Sequence, residues 1–183
     1  GNTSCVSVAA PGEDPLIFDL GTGVRYFGGT LDASVQRLNV LVSHLHWDHI
    51  QGLPFLPQLQ CDGCEINVWA PVQDDGRSAR ECFAAAITEP VFPVALDSIG
   101  AQIAIHDVAP SEWDIGSFTV RAAKVPHIGP TLGYRVTYND RSVVYVSDHQ
   151  EPADPKWFAP DVLNLCEAAD VLIHDAQFVD ADY

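Results

Sequence analysis

Residues 43–49 read Ser-His-Leu-His-Trp-Asp-His, which places three imidazoles (His44, His46, His49) and one carboxylate (Asp48) within six positions. Crowding such groups is costly unless something binds their lone pairs. A divalent cation does so, and imidazole with carboxylate suits zinc first, with manganese or iron as alternatives. The spacing carries geometry. His44 and His46 project the same way from an extended segment, while Asp48 and His49 follow in a turn. One pair can therefore face one ion and the other pair a neighbouring ion. A solvated or tag-like histidine cluster is the competing reading. It is disfavoured because an apolar run feeds the motif and Gly52-Leu-Pro54 stops it.

The elements that must position this cluster follow from periodicity and turn residues. Residues 4–10 and 16–20 read as strands around the turn Pro11-Gly-Glu-Asp-Pro15, and the chain turns sharply after Asp19 at Gly21-Thr-Gly23. Residues 38–43 form a short apolar run expected to be a buried strand leading into His44. Residues 66–70, 101–107, 118–125, 132–138 and 142–147 read as strands, with Asn139-Asp-Arg141 as a hairpin turn. Residues 76–88 and 159–168 have helical spacing, and 171–174 reads as a last strand. Strands joined partly by helices and partly by hairpins predict an α/β domain with two sheets flanked by helices. No repeat or linker interrupts the chain, so a single domain over residues 1–183 is expected.

Bulk properties narrow the function. The 183 residues suffice for one real core, and the net charge is −16. An acidic surface repels phosphate backbones and argues against nucleic acid as a partner, while bound cations can reverse the sign locally for a small anion. There is no long apolar run and no charged-then-apolar leader, so no membrane partner and a cytoplasmic address are expected. The five cysteines, with one Cys61-Asp-Gly-Cys64 pair, read as ordinary thiols rather than a disulfide framework or a structural zinc site. The chain opens with Gly and contains no Met, which predicts a piece of a longer chain, incomplete at both termini.

The motif His44-x-His46-x-Asp48-His49 resembles the signature of the metallo-β-lactamase superfamily, and residues 43–55, SHLHWDHIQGLPF, resemble its phosphodiesterase and ribonuclease Z-like branch. Four further stretches match in order. Asn2-Thr-Ser-Cys5 with Phe18-Asp-Leu-Gly-Thr-Gly23 resembles the opening strands, and residues 126–134, PHIGPTLGY, resemble the segment of the third histidine ligand. Tyr145-Val-Ser-Asp148 resembles the segment with the bridging aspartate, and residues 172–178, LIHDAQF, the box holding a catalytic histidine. The resemblance implies a four-layer αββα sandwich of two mixed β-sheets. It implies two divalent metal ions, with His44, His46 and His127 holding the first, Asp48 and His49 the second, and Asp148 bridging both. Asp19 would orient the ligand loop from behind the ligands. Asp48 and His174 would be the catalytic groups, His174 as proton donor or transition-state stabiliser at the leaving group. The family's last histidine ligand has no counterpart after His174, and is expected beyond Tyr183.

Two ions about 3.5–4 Å apart can share a hydroxide and make it a nucleophile near neutral pH. With Asp48, Asp148 and that hydroxide counted, the site keeps a charge of about +1, suited to a phosphodiester. Oxygen-reducing di-iron members carry a glutamate where His46 stands, and thioesterases and β-lactamases do not usually show the His174 box, so a hydrolytic phosphodiesterase is favoured. Ribonuclease Z-like enzymes commonly insert a basic arm between the third histidine and the bridging aspartate. Here His127 and Asp148 are 21 residues apart and a hairpin consumes nearly all of that gap. A small or cyclic phosphodiester is therefore the expected substrate. A ribonuclease Z-like endoribonuclease and a non-catalytic metal-binding sensor or accessory module are the alternatives, and the branch's habit of pairing adds a homodimer as an expectation. Of the remaining residues, His106 reads as surface or packing, His149 as packing or support for Asp148, Trp47 as packing under the ligand loop, and Gly129 and Gly133 as close-approach positions.

Overall fold

The computed structural model describes residues 1–150 and 159–176. The chain divides into two units, Gly1–Ala109 and Pro110–Tyr183, each built on its own five-stranded mixed sheet.

In the first unit, β1 (Val6–Val8) and β2 (Leu16–Phe18) form an antiparallel pair. β3 (Arg37–Leu41), β4 (Glu65–Pro71) and β5 (Gln102–Val108) then add in parallel, giving the order β1-β2-β3-β4-β5. Parallel pairing demands crossovers. These are α1 (Gly23–Thr30), then the one-turn helix α2 (Trp47–Ile50) with two 3₁₀ turns, and finally α3 (Ala79–Ala86). Leu16, Ile17, Phe18, Val40 and Leu41 are fully buried, as continuous apolar runs in parallel strands should be. Ile17, Val40, Val68 and Phe83 belong to one core.

Two differences from the sequence reading are instructive. The helix expected over 76–88 is confined to α3 because Gly76 takes φ +83° and Ser78 caps the helix, accepting from the Glu81 N–H while the Glu81 carboxylate accepts from the Ser78 N–H. Helix α1 was not foreseen, since the run GVRYFGGT holds three helix-weakening glycines. Close packing explains it: a Cβ at Gly28 would lie within 2.6–2.8 Å of Gln58, Pro57 and Leu56.

The second unit is β6 (Ser111–Ile115), β7 (Phe118–Lys124), β8 (Leu132–Tyr138), β9 (Arg141–Val146) and β10 (Val171–His174), in the order β10-β9-β8-β7-β6. All neighbours are antiparallel except β9 and β10, which the crossover helix α4 (Pro160–Cys166) joins in parallel. Asn139 and Asp140 both take positive φ, 46° and 61°, as a tight hairpin matched to strand twist requires. Val162 and Leu165 of α4 pack on Val125, Val144 and Val146, and Gly133 makes room there, since its Cβ would meet Leu165, Val125 and Val146 at 3.0–3.1 Å. The edge strand β6, sequence SEWDI, escaped the sequence reading because its charges mask the alternation. Among the described residues, no helix is long and apolar enough to cross a membrane.

Candidate metal centre

The ligand loop of the first unit begins where β3 ends. Parallel register sets Phe18 opposite Leu41, so the residues that follow β2 and β3, Asp19 and Ser43, leave the sheet side by side. Asp19 adopts φ 61°, a left-handed conformation that aspartate tolerates better than most residues, and its N–H donates to the Leu41 carbonyl at 3.0 Å. This turn aims its carboxylate into the loop. Oδ1 accepts from the Ser43 N–H at 2.7 Å, and Oδ2 accepts from the Ser43 hydroxyl at 2.9 Å and from His49 Nδ1 at 2.7 Å. Asp19, Ser43 and His49 are all fully buried, so each bond acts without competition from water.

These bonds determine tautomers. A carboxylate can only accept, so His49 carries its proton on Nδ1 and presents Nε2. Ser43 commits its single proton to Asp19 and accepts at Oγ from His44 Nδ1, 3.0 Å away. His44 therefore also presents Nε2, which lies 2.8 Å from His46 Nδ1. Asp48, on α2, brings Oδ2 to 3.5 Å from His49 Nε2. Two neighbouring pairs result, His44 with His46 and Asp48 with His49. Their donor set, neutral imidazole nitrogens with one carboxylate, fits a divalent cation. Ser43, whose serine went unremarked beside three histidines, is the link that ties Asp19 to His44.

The loop rests on a layer without side chains. A Cβ on Gly21 would lie 2.5 Å from the Ser4 carbonyl oxygen and 2.6 Å from that of Asp48, and one on Gly52 would lie 2.0 Å from the Gly21 oxygen. Backbone bonds Leu20 N–H to His49 O (2.8 Å) and Gly52 N–H to Leu20 O (2.7 Å) hold the layer together. Trp47 departs from expectation: instead of packing under the loop it is 52% exposed. His106 is exposed and stacks on Trp69 with ring centroids 5.0 Å apart, a packing role as read from the sequence.

The second unit carries its own set. His127 lies in the loop between β7 and β8, with Nε2 at 3.8 Å from Oδ2 of Asp148, which follows β9. The Gln150 N–H donates to the Pro126 carbonyl at 2.7 Å and clamps the two segments together. Asp148 takes φ 50°, turning the chain as it leaves the sheet. Behind it, the His149 N–H donates to Asp175 Oδ2 at 3.1 Å, and His149 Nδ1 lies 3.0 Å from His174 Nε2. His174 is exposed, with Nδ1 donating to the Asp175 carbonyl at 2.7 Å. His149 and Asp175 are thus supports that the sequence reading left open or unassigned. Gly129 is a turn glycine at φ +83° with open space around it, not a close-approach position. Gln177 and Phe178 of the histidine box lie outside the described residues.

Comparison with known proteins adds the following. Residues 22–183 match the family model described as the Beta-lactamase superfamily domain. The chain is 29% identical over 165 residues to Ribonuclease Z of Haloarcula marismortui, an alignment covering 85% of this chain and 50% of that protein. It thus spans about half the length of the curated relatives it matches. Among solved structures, the metallo-β-lactamase fold protein YhfI from Bacillus subtilis superposes with TM-score 0.64 at 20% identity, over 93% of this chain and 61% of that one. A diphosphatase from the PhnP family superposes with TM-score 0.61 at 19% identity, over 93% and 59%.

Proposed function

The chain belongs to the beta-lactamase superfamily and has the metallo-β-lactamase fold, and on that premise we propose that it is a metal-dependent hydrolase of phosphodiesters, acting on a small or cyclic one. The observation that carries the reading is the buried Asp19–Ser43–His49 network, which fixes two imidazoles with their Nε2 atoms outward. With Nδ1 of each ring held from behind by Ser43 or Asp19, the opposite nitrogen is the one available to a cation.

In this reading His44, His46 and His127 would hold one divalent ion, zinc before manganese or iron, and Asp48 and His49 would hold a second, with Asp148 as a ligand available to both. Bound ions supply a more acidic water and positive charge for a phosphoryl group. The chain's own residues do the rest. Asp19 and Ser43 keep His44 and His49 in the ligating tautomer. His174, its Nδ1 proton tied to the Asp175 carbonyl and its Nε2 beside His149 Nδ1, would act as proton donor to the departing oxygen only as the doubly protonated ring, giving up the Nε2 proton and keeping the Nδ1 one. Likeness to a Ribonuclease Z and to a diphosphatase supports phosphate chemistry. The small substrate is supported by the net charge of −16 and by the His127–Asp148 gap, which β8 and β9 fill without a basic arm.

The Ribonuclease Z likeness also favours a second reading, an endoribonuclease. Full-length protein with zinc or manganese is expected to cleave bis-p-nitrophenyl phosphate, and His46→Ala is expected to abolish this. Equal activity of the two proteins refutes the assignment. Cleavage of precursor transfer RNA without activity on small diesters replaces the first reading with the second.

A further inference from the structure

Trp47 stands between two of the residues assigned to the metals, yet its indole is half in solvent and lines a cavity of about 270 Å³. The cavity lies at the carboxyl ends of β3 and β4, where parallel sheets bind ligands, and all of its walls belong to the first unit. Leu45, Ile50 and Ala86 make it largely apolar, and the Cys82 thiol also lines it. Two polar groups complete it. Gln73 donates Nε2 to the Pro71 carbonyl at 2.7 Å, which fixes the amide and presents Oε1 as an acceptor. Arg77, exposed like its partner, pairs with Asp75 through Nε and Nη2, both at 2.7 Å, which orients the guanidinium while Nη1 makes no hydrogen bond among the described residues.

An exposed aromatic face, an acceptor held by a hydrogen bond and a planar donor together describe recognition of a flat heterocycle that has hydrogen-bonding edges. A purely aliphatic ester group would use neither the indole nor the two polar edges. The volume sits just below the range of about 300–1,000 Å³ typical of whole-ligand pockets, so it suits one ring system rather than an entire substrate. We propose that this cavity seats the nucleobase of the substrate, making the small diester a nucleoside-bearing one. The inference rests on the phosphodiesterase reading for its link to catalysis. The pocket itself rests only on Trp47, Gln73 and Arg77.

The test compares two diesters in full-length, metal-loaded protein: the methyl ester of uridine 5′-monophosphate and the methyl ester of glycerol 3-phosphate. Base–aromatic stacking predicts that Trp47→Leu raises KM for the uridine ester by about tenfold while kcat/KM on the glycerol ester stays within about twofold. Trp47→Phe should retain most of the affinity, and Arg77→Gln should raise KM for the uridine ester alone. Calorimetry of uridine 5′-monophosphate with metal-free protein gives a readout independent of turnover, with binding expected for the parent and lost in Trp47→Leu. Equal kinetics of parent and Trp47→Leu on the uridine ester overturn the proposal, as does base binding that leaves the kinetics of both esters unchanged. If neither diester is hydrolysed, the phosphodiesterase reading fails on its own, and an absence of uridine monophosphate binding that depends on Trp47 then overturns the pocket as well.

Discussion

Replacing Asp19 tests the centre at the point where most of its order originates. In Asp19→Ala, three donors lose their acceptor inside a fully buried network: the Ser43 N–H, the Ser43 hydroxyl and His49 Nδ1. An orphaned buried donor costs about 1–3 kcal/mol, so three in one network put the loss at about 3–9 kcal/mol. Asp19→Asn separates charge from shape. With its amide oxygen at the Oδ2 position it still accepts from Ser43 Oγ and His49, but its NH₂ then faces the Ser43 N–H. With the opposite orientation it sacrifices two bonds instead of one. The first is preferred, at a cost of about 1–3 kcal/mol. For a chain of this size each kcal/mol moves Tm by about 2–4 °C. Asp19→Asn should therefore melt about 2–12 °C lower, and Asp19→Ala lower still. Metal affinity, measured by competition with a chromophoric chelator, should fall about 10–100-fold in Asp19→Ala, because His44 and His49 are released to turn the wrong nitrogen outward. Cys5 offers an independent probe. Its thiol is pushed up to about 11, first by burial and then by the Asp19 charge. Either variant should lower that value while leaving it above the ordinary thiol range. An Asp19→Ala protein that melts and binds zinc like the parent, or an Asp19→Asn protein that fares worse than Asp19→Ala, would refute the reasoning.

Three other perturbations follow from single observations. Gly21→Ala places a methyl 2.6 Å from the Asp48 carbonyl oxygen, so it should both destabilise the fold, by about 1–3 kcal/mol in urea unfolding, and weaken metal binding; unchanged metal affinity would show that the layer does not position Asp48. Ser78→Ala removes the α3 capping box and should lower Tm by about 2–4 °C at neutral pH. The Ser78 N–H and, second, its hydroxyl hold the Glu81 carboxyl below its ordinary range, so the hydroxyl–carboxylate part is present above the ordinary glutamate range and lost as pH falls through the folded value; the parent–variant gap in melting should narrow in acid without closing, because the Glu81 N–H to Ser78 Oγ bond does not titrate. Cys64 is raised to about 11, by burial first and by its hydrogen bond with Cys61 second, so it should resist iodoacetamide at pH 8 in the native protein and react at once in urea; its contribution to stability holds below the ordinary thiol range and fades as pH rises towards 11.

The parts of the fold that periodicity could reach are those where burial pattern and backbone agree. The run 38–43 announces β3 because parallel strands are apolar on both faces, and Asn139-Asp140 announces a hairpin because both residues tolerate positive φ. Helix α1 and strand β6 were hidden for opposite reasons. The glycines of α1 look like a turn, yet Gly28 is there so that Leu56, Pro57 and Gln58 can approach, a tertiary requirement that no local propensity reveals. The charges of β6 look like a loop, yet an edge strand can carry them on the face it shows to water.

The same division runs through the site. Residue types and spacing point to His44, His46, Asp48 and His49 as candidate donors, and the structure brings His44 beside His46 and Asp48 beside His49, because alternation in an extended segment and a following turn are local facts. Which nitrogen each ring presents is not local. It depends on a carboxylate 24 residues before Ser43, on the parallel register of β2 and β3, and on a hydroxyl with only one proton to give. A serine at this position is informative only once Asp19 is known to lie across from it. That dependence makes a sharp claim: Ser43→Ala removes the acceptor for His44 Nδ1 but spares the Asp19 bond to His49, so it should weaken the His44–His46 pair and leave the Asp48–His49 pair nearly intact. Two-step zinc titrations in which only one affinity falls would bear this out, whereas equal losses at both steps would mean that the two pairs are not separately held.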